Sequence, residues 1–208
     1  SVSIGIFDWG SYLGEGALEN GVRVTISPWR KFHSTSFPTV AKASGQYLNS
    51  LLAVQDAKAK GFDEALLLNQ EGTIAEGAGQ NIFMVKNGEL FTNAEDSSIL
   101  MGITRETLIY LAAEMDITVH IGKLSLGQLF NADEVFFCGT ASEVTPICEV
   151  DSRIIGNGKS GPLTQKIQKI YIDIVHGKID KYSHWLTFVE NLNDENSITS
   201  FQTTAVSD

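Results

Sequence analysis

The stretch AKASGQYL, residues 41–48, largely decides the fold and chemistry of this 208-residue sequence. Lys42 stands among small residues at the start of segment 43–60, whose apolar periodicity predicts an amphipathic helix ending at Gly61. Small neighbours let a bulky ligand approach the amine, and a lysine that loses its proton can form a Schiff base with an aldehyde. An ordinary solvated lysine beside a helix start is the alternative from these residues alone.

Outward from this stretch, the sequence predicts short strands with mostly short connections and a few covering helices. The predicted apolar residues of the first helix are Tyr47, Leu48, Leu51, Leu52, Val54, Ala57 and Ala59. The alternation of residues 22–26 predicts a half-buried strand, and the apolar run 64–69 predicts a strand covered on both faces. Asn87-Gly88 predicts a type I′ turn in a hairpin. Further helices are expected at 104–114, after Ser125 and from Pro162 to about Val175, with strands at 117–121, 134–138 and 145–150. The fold class is therefore α+β or α/β, with mixed sheets and covering helices.

Composition excludes several classes of protein. The net charge of −10 and the pI of about 4.8 give no basic footprint for nucleic acid. No apolar stretch reaches the roughly 18 residues that a membrane span needs. Cys138 and Cys148 have neither disulfide-framework nor metal-site spacing, which favours a reducing, cytoplasmic compartment and no bound metal.

Three further segments carry chemistry that packing alone does not explain. Glu76 stands beside glycines in EGAGQN, where the backbone can approach a flat ligand; a turn with a surface glutamate is the alternative. Thr104 and Arg105 in GITR begin a helix, where free backbone N–H groups can bind an anion; a threonine N-cap beside a solvated arginine is the alternative. Thr140 follows a strand in CGTASE, which offers amides and a hydroxyl to an anion, or simply forms a turn.

In order and spacing, AKASGQYL, EGAGQNIF, LMGITRET and FFCGTASEVTP together resemble the class IV aminotransferases, the fold type IV pyridoxal-phosphate enzymes. Within them the sequence is most similar to the branched-chain amino-acid aminotransferases, over about residues 7–189. The resemblance implies a barrel-like core and pyridoxal 5′-phosphate as cofactor.

The resemblance also implies a role for each matching residue. Lys42 would hold the cofactor as a Schiff base and move the Cα proton, and Glu76 would face the pyridine nitrogen. The other implied roles are a hydrogen bond from Tyr47 to the phenolic oxygen, packing of Leu100 on the ring, phosphate binding by Ile103, Thr104 and Thr140, substrate carboxylate binding by the amides of Thr140 and Ala141, and a side-chain pocket walled by Trp9 and Tyr12. The implied reaction is amino transfer from leucine, isoleucine or valine to 2-oxoglutarate.

The resemblance implies a domain plan as well. Residues 1–7 correspond to a remnant of a smaller N-terminal domain, 8–16 to a connector, 17–192 to the cofactor-binding domain, and 193–208 to a disordered tail. Because that small domain would supply a phosphate-binding arginine and part of the pocket, impaired turnover is expected of these 208 residues. A homo-oligomer, at least a dimer, is also implied.

Two alternatives stay open at this point. The Lys42 and Glu76 pair would serve equally in a D-amino-acid aminotransferase or an aminodeoxychorismate lyase of the same fold. A non-catalytic relative or fragment is the other possibility, although retention of Lys42, Tyr47 and Glu76 argues against it.

Overall fold

The computed structural model describes Gly5, Gly10 and residues 12–188 of the chain. The N-terminal remnant and the tail expected at 193–208 therefore lie almost wholly outside the described residues, as does Trp9. The chain divides into two units, Ser1–Ile172 and Asp173–Asp208, and each is described by itself.

Short strands follow one another in runs, with a few helices between them, as expected. The helices are α1 Ala17–Asn20, α2 Tyr47–Ala59, α3 Ile103–Glu114, α4 Leu126–Phe130 and α5 Pro162–Val175. The strands are β1 Val22–Ile26, β2 Glu64–Leu68, β3 Ile74–Gly77, β4 Asn81–Lys86, β5 Glu89–Asn93, β6 Val119–Gly122, β7 Glu134–Gly139, β8 Glu143–Val150 and β9 Arg153–Ile154. Short 3-10 helices span Ser44–Gln46, Glu95–Ser97 and Asp180–Trp185.

The strands form one mixed sheet in the order β3-β2-β1-β8-β7-β4-β5-β6, with β9 paired to β8. β1 runs parallel to both β2 and β8, whereas β4 is antiparallel to β5 and β7. The two ends of this order meet, because Ile74 in β3 pairs with Leu124, just after β6, and its N–H donates to the Leu124 carbonyl at 2.8 Å. The expected barrel-like core is thereby confirmed.

Local sequence signals explain two of the connections. Asn87 and Gly88 both have positive φ, 53° and 79°, which the predicted type I′ turn between β4 and β5 requires. Ser125 caps α4: its hydroxyl accepts from the Gln128 N–H at 3.2 Å, and the Gln128 side chain accepts from the Ser125 N–H at 2.8 Å.

Strand β2 is buried along its whole length, as its apolar run predicts. Leu66 and Leu68 belong to the larger apolar cluster, together with residues of β1, β4 and β7. Ala65 and Leu67 point the other way, into a smaller cluster with Ala53 of α2. The strand is therefore covered on both faces.

The predicted apolar face of α2 is right at Ala57, which is buried, and wrong at its leucines. Leu48, Leu51 and Leu52 are 67%, 52% and 43% exposed, and the buried residues of the helix are small: Ser50, Ala53 and Ala57. Hydrophobicity alone predicts burial of the leucines. The helix instead packs on β2 through its alanines, because small side chains let helix and strand backbones approach closely.

The second unit, in its described part, comprises the end of α5 and the segment up to residue 188. Gly177 ends the helix with φ +69°, and its N–H donates to the Ile174 carbonyl at 2.9 Å. The Tyr182 and Trp185 rings lie 4.7 Å apart in the 3-10 helix. Among the residues described in both units, no helix is long and apolar enough to cross a bilayer.

Candidate active site

A cavity of about 310 Å³ in the first unit brings together four segments that are distant in sequence. They are the chain from residue 31 to the first turn of α2, the β3–β4 connection, the entry to α3, and the end of β7. Seven of the predicted site residues line it: Lys42, Tyr47, Glu76, Leu100, Ile103, Thr104 and Thr140.

Glu76 lies on β3 with only 5% of its surface exposed. The Lys31 ammonium contacts its Oε1 at 2.7 Å. Its Oε2 accepts hydrogen bonds from the Leu100 N–H at 3.0 Å and from the Asn81 amide at 3.2 Å. Burial raises the pKa of Glu76, and the charge of Lys31 and the Leu100 N–H act against that rise. The alternative of a surface glutamate in a turn is wrong.

Asn81 links Glu76 to the segment before α3. The amide that donates to Glu76 also donates to the Leu100 carbonyl at 2.8 Å. A Cβ at Gly102 would lie 2.1 Å from the Asn81 Oδ1, so glycine is required there for close approach. The segment before α3 is therefore fixed against β3 and β4.

Lys42 lies on a loop, between extended backbone at Ala43 and the turn after Pro38. Its side chain is exposed, unlike that of Lys31, which is 4% exposed. The buried Gln46 side chain crosses the base of this loop, donating to the Pro38 carbonyl at 2.9 Å and to the Ala41 carbonyl. Tyr47, 43% exposed, begins α2 beside it.

The start of α3 differs from the simple capping alternative. The N-cap is Gly102, which makes no side-chain capping bond, and Ile103 and Thr104 are the first two helical residues. The first N–H groups of a helix lack partners within it, so they can receive an anion. The Thr104 hydroxyl lies 3.5 Å from that of Tyr171, and Arg105, expected in solvent under that alternative, is 2% exposed. Its guanidinium donates to the Asn93 carbonyl at 2.6 Å.

Tyr12 and Ala141, both predicted to contact substrate, line a neighbouring cavity of about 230 Å³ rather than the first one. The two cavities lie close together at Gly79, which lines the first one and where a Cβ would lie 3.1 Å from the Tyr12 hydroxyl. Thr140, adjacent in sequence to Ala141, belongs to the first cavity.

The residues present fit pyridoxal phosphate, the cofactor that the sequence resemblance implies. An accessible amine and a buried carboxylate share one cavity, and the open N-terminus of α3 adjoins the hydroxyls of Thr104 and Thr140. Lys31 and Lys42 outnumber the one lining carboxylate, so the cavity is cationic in a chain of net charge −10. Such a site favours a flat, anionic ligand that carries an aldehyde.

Sequence reasoning missed four residues of the site: Lys31, Gln46, Asn81 and Tyr171. Gln46 and Asn81 stand within the quoted segments, where an amide beside a small-residue loop was the available signal. Lys31 precedes Glu76 by 45 positions in an unpatterned loop, and Tyr171 follows Thr104 by 67 positions on another helix. No local pattern connects residues so far apart.

Comparison with known proteins identifies the family. The family profile described as Amino-transferase class IV matches residues 7–150. The chain belongs to the class IV aminotransferases. A branched-chain-amino-acid aminotransferase of Pseudomonas aeruginosa is 46% identical over 189 residues, which are 91% of this chain and 61% of that protein.

Solved structures of branched-chain amino acid aminotransferases have the same fold as this chain. The branched-chain amino acid aminotransferase of Escherichia coli superposes with a TM-score of 0.79 at 46% identity, covering 80% of this chain and 55% of that one. The T.th. branched-chain amino acid aminotransferase with pyridoxamine 5′-phosphate has a TM-score of 0.83 at 43% identity, covering 88% and 60%. The chain spans about three-fifths of the length of the curated relatives that it matches.

Proposed function

We propose that the protein is a pyridoxal-phosphate-dependent aminotransferase that moves the amino group of leucine, isoleucine or valine to 2-oxoglutarate. One observation carries the proposal. The Lys42 amine, the Glu76 carboxylate and the N-terminus of α3 line one cavity, although they come from segments tens of residues apart. Relatives that cover most of this chain at 43–46% identity are branched-chain aminotransferases, which supports the choice of substrate class.

In this proposal the cofactor, when bound, supplies an aldehyde that takes up amino groups and a ring that accepts electron density. Lys42 would hold the cofactor through its amine and would act as the base that moves the substrate Cα proton. Glu76 would accept a hydrogen bond from the protonated ring nitrogen. Ile103 and Thr104 at the start of α3, with the Thr140 hydroxyl, bind the phosphate.

The remaining predicted residues orient the cofactor and the substrate. Tyr47 would donate to the phenolic oxygen. Leu100, whose N–H and carbonyl are both hydrogen-bonded, would pack its side chain against the ring. Tyr12, Trp9 and the Thr140 and Ala141 amides are proposed for the substrate. The separate cavity of Tyr12 and Ala141 supports a substrate subsite next to the cofactor.

The test is covalent trapping followed by substrate profiling. The purified protein is loaded with pyridoxal phosphate, reduced with borohydride and digested, and we expect the pyridoxyl mass on the peptide containing Lys42. Single-turnover spectra with L-leucine and D-alanine then identify the substrate class, and we expect a response to L-leucine. An adduct on another lysine, or a response to D-alanine alone, contradicts the proposal.

We also propose that the protein works as a homo-oligomer in the cytoplasm. The exposed Leu48, Leu51 and Leu52 on α2 support a surface that another subunit covers, and the two buried, unpaired cysteines support a reducing compartment. Sedimentation of Leu48→Glu, with Ile154→Glu on β9 as control, tests the interface. We expect only the α2 substitution to lower the mass, and an unchanged mass contradicts the assignment.

A further inference from the structure

The cavity contains a second lysine to which the sequence resemblance assigns no role. Lys31 is 4% exposed and its ammonium lies 2.7 Å from Glu76 Oε1. Its backbone is fixed as well: the N–H donates to the Leu68 carbonyl at 2.8 Å, and the carbonyl accepts from the Gln70 amide at 3.0 Å. These contacts attach Lys31 to the end of β2, which pairs with the strand that carries Glu76.

The Glu76 carboxylate has three named donors, and only Lys31 among them is charged. Each carboxylate oxygen can accept two hydrogen bonds, so these contacts leave capacity for a ring nitrogen. The other titratable groups that line the cavity are Lys42, Tyr47 and Cys138. Since water is largely excluded from Glu76, a neighbouring charge there acts more strongly than in solvent.

We propose that Lys31 is a positioning residue that keeps the Glu76 carboxylate ionised, so that the shared proton resides on the pyridine nitrogen of the cofactor. The inference rests on the proposed function, since it concerns how the same site holds the same cofactor.

The Coulomb energy decides the direction of this effect. A proton between a carboxylate and a pyridine nitrogen has two positions, and burial favours the one in which both groups are neutral. Lys31 stabilises the negative carboxylate and repels a positive ring. The Lys31 ammonium contacts the carboxylate directly, at 2.7 Å, and a ring nitrogen bonded to that carboxylate would lie farther from the ammonium, so the attraction would outweigh the repulsion.

The test compares two cofactors in three proteins. Dissociation constants of pyridoxal phosphate and of its 1-deaza analogue, which has a C–H in place of the ring nitrogen, are measured for wild type, Lys31→Met and Lys31→Arg. We expect Lys31→Met to weaken pyridoxal phosphate binding about tenfold or more, as loss of a charge-assisted contact does, and to leave analogue binding unchanged. Lys31→Arg should retain most of the affinity.

A spectroscopic measurement reads the proton position directly. With ¹⁵N-labelled pyridoxal phosphate, the ring nitrogen signal of wild type should have the shift of a protonated pyridine. Lys31→Met should move it toward the unprotonated value. A role limited to supporting the fold would weaken both cofactors equally and leave this shift in place, and that result overturns the inference.

Lys31→Met alone leaves a buried carboxylate without its cation, so the double variant Lys31→Met, Glu76→Gln provides a second route. It has no unpaired buried charge, and its preference for pyridoxal phosphate over the analogue is compared with that of Glu76→Gln. We expect equal preferences, because Lys31 acts through Glu76, and unequal ones overturn the inference. A wild type that binds neither cofactor overturns the proposed function too, whereas tight wild-type binding with Lys31→Met unchanged overturns this inference alone.

Discussion

Two walls of the cavity are built in different ways. The strand wall, comprising Glu76 on β3 and Asn81 on β4, is buried and linked by hydrogen bonds to the segment before α3. The loop wall, residues 38–46, presents the exposed Lys42 and is held by the Gln46 side chain and by short-range backbone hydrogen bonds. A group that must keep one charge in one place is thus fixed on strands, and a group that must form and break bonds is carried on a loop.

Replacing the loop-wall amine should have the largest effect. Lys42→Ala is expected to lower turnover by on the order of 10³-fold or more, because it removes the group that moves the proton. Stability should change by less than about 0.5 kcal/mol, since the side chain is exposed. Steady-state assays and thermal melts measure both, with Lys159→Ala as control. A large loss of stability would show that Lys42 also supports the fold.

A bulkier residue in the strand wall should instead lower the stability of the fold. Gly102→Ala places a Cβ 2.1 Å from Asn81 Oδ1, and the Asn81 amide cannot move without losing its bonds to Glu76 and Leu100. We expect a loss of about 1–3 kcal/mol in the free energy of unfolding and weaker cofactor binding.

Gly127→Ala is the matched control for this substitution. The nearest atom to its new Cβ is 3.8 Å away, and alanine suits the helix α4. Urea unfolding should show this variant at least as stable as wild type. Equal stability of the two glycine variants would show that the strand wall accommodates an added Cβ as well as helix α4 does, and would contradict the prediction.

Loosening the loop wall should have an intermediate effect. Gln46→Ala removes the donor to the Pro38 and Ala41 carbonyls, so Lys42 is presented by a less ordered loop. We expect cofactor affinity to fall about tenfold, with a smaller change in melting temperature. Gln165→Ala, which removes a similar bond to the Ser160 carbonyl outside the cavity, should leave affinity unchanged. Equal affinities of the two variants would contradict the role of Gln46.

The smallest effect concerns a second buried carboxyl beside the strand wall. Glu64 accepts from the Gln80 amide at 3.0 Å and from the Ala65 N–H, and burial raises its pKa from 4.5. A carboxyl whose pKa is higher in the folded than in the unfolded protein contributes stability at low pH, which is lost as pH rises from about 4.5 through the folded value.

Glu64→Gln should therefore flatten that decline and stabilise the protein by about 1 kcal/mol at pH 7.5. Glu71→Gln is the control with opposite sign, because Lys123 lowers the pKa of Glu71 and its contribution is present above the unfolded pKa. Unfolding free energies across pH 4–8 compare the two. If the unfolding free energy of Glu64→Gln still declines with rising pH as in wild type, another group causes the decline.

Much of this architecture is predictable from the sequence, and the exceptions have physical causes. The β4–β5 hairpin and α5 are encoded locally, by Asn87-Gly88 and by Pro162 with Gly177. The outward leucines of α2 are not predictable from periodicity, because the close approach of Ala53 to β2 determines which face is buried. The seven predicted residues that line the cavity follow from the resemblance of four segments to the class IV aminotransferases. Lys31 is not predictable in this way, because only the pairing of β2 with β3 brings it to Glu76.

The position of β1 has a consequence for synthesis on the ribosome. β1 lies between β2 and β8, and Val22 pairs with Ile147. The edge of β1 that faces β8 therefore has no partner until about 125 further residues have been translated. At roughly 5–20 residues per second, that edge stays unpaired for several seconds or more. We expect nascent chains to need shielding by a chaperone during this interval, before the barrel can close.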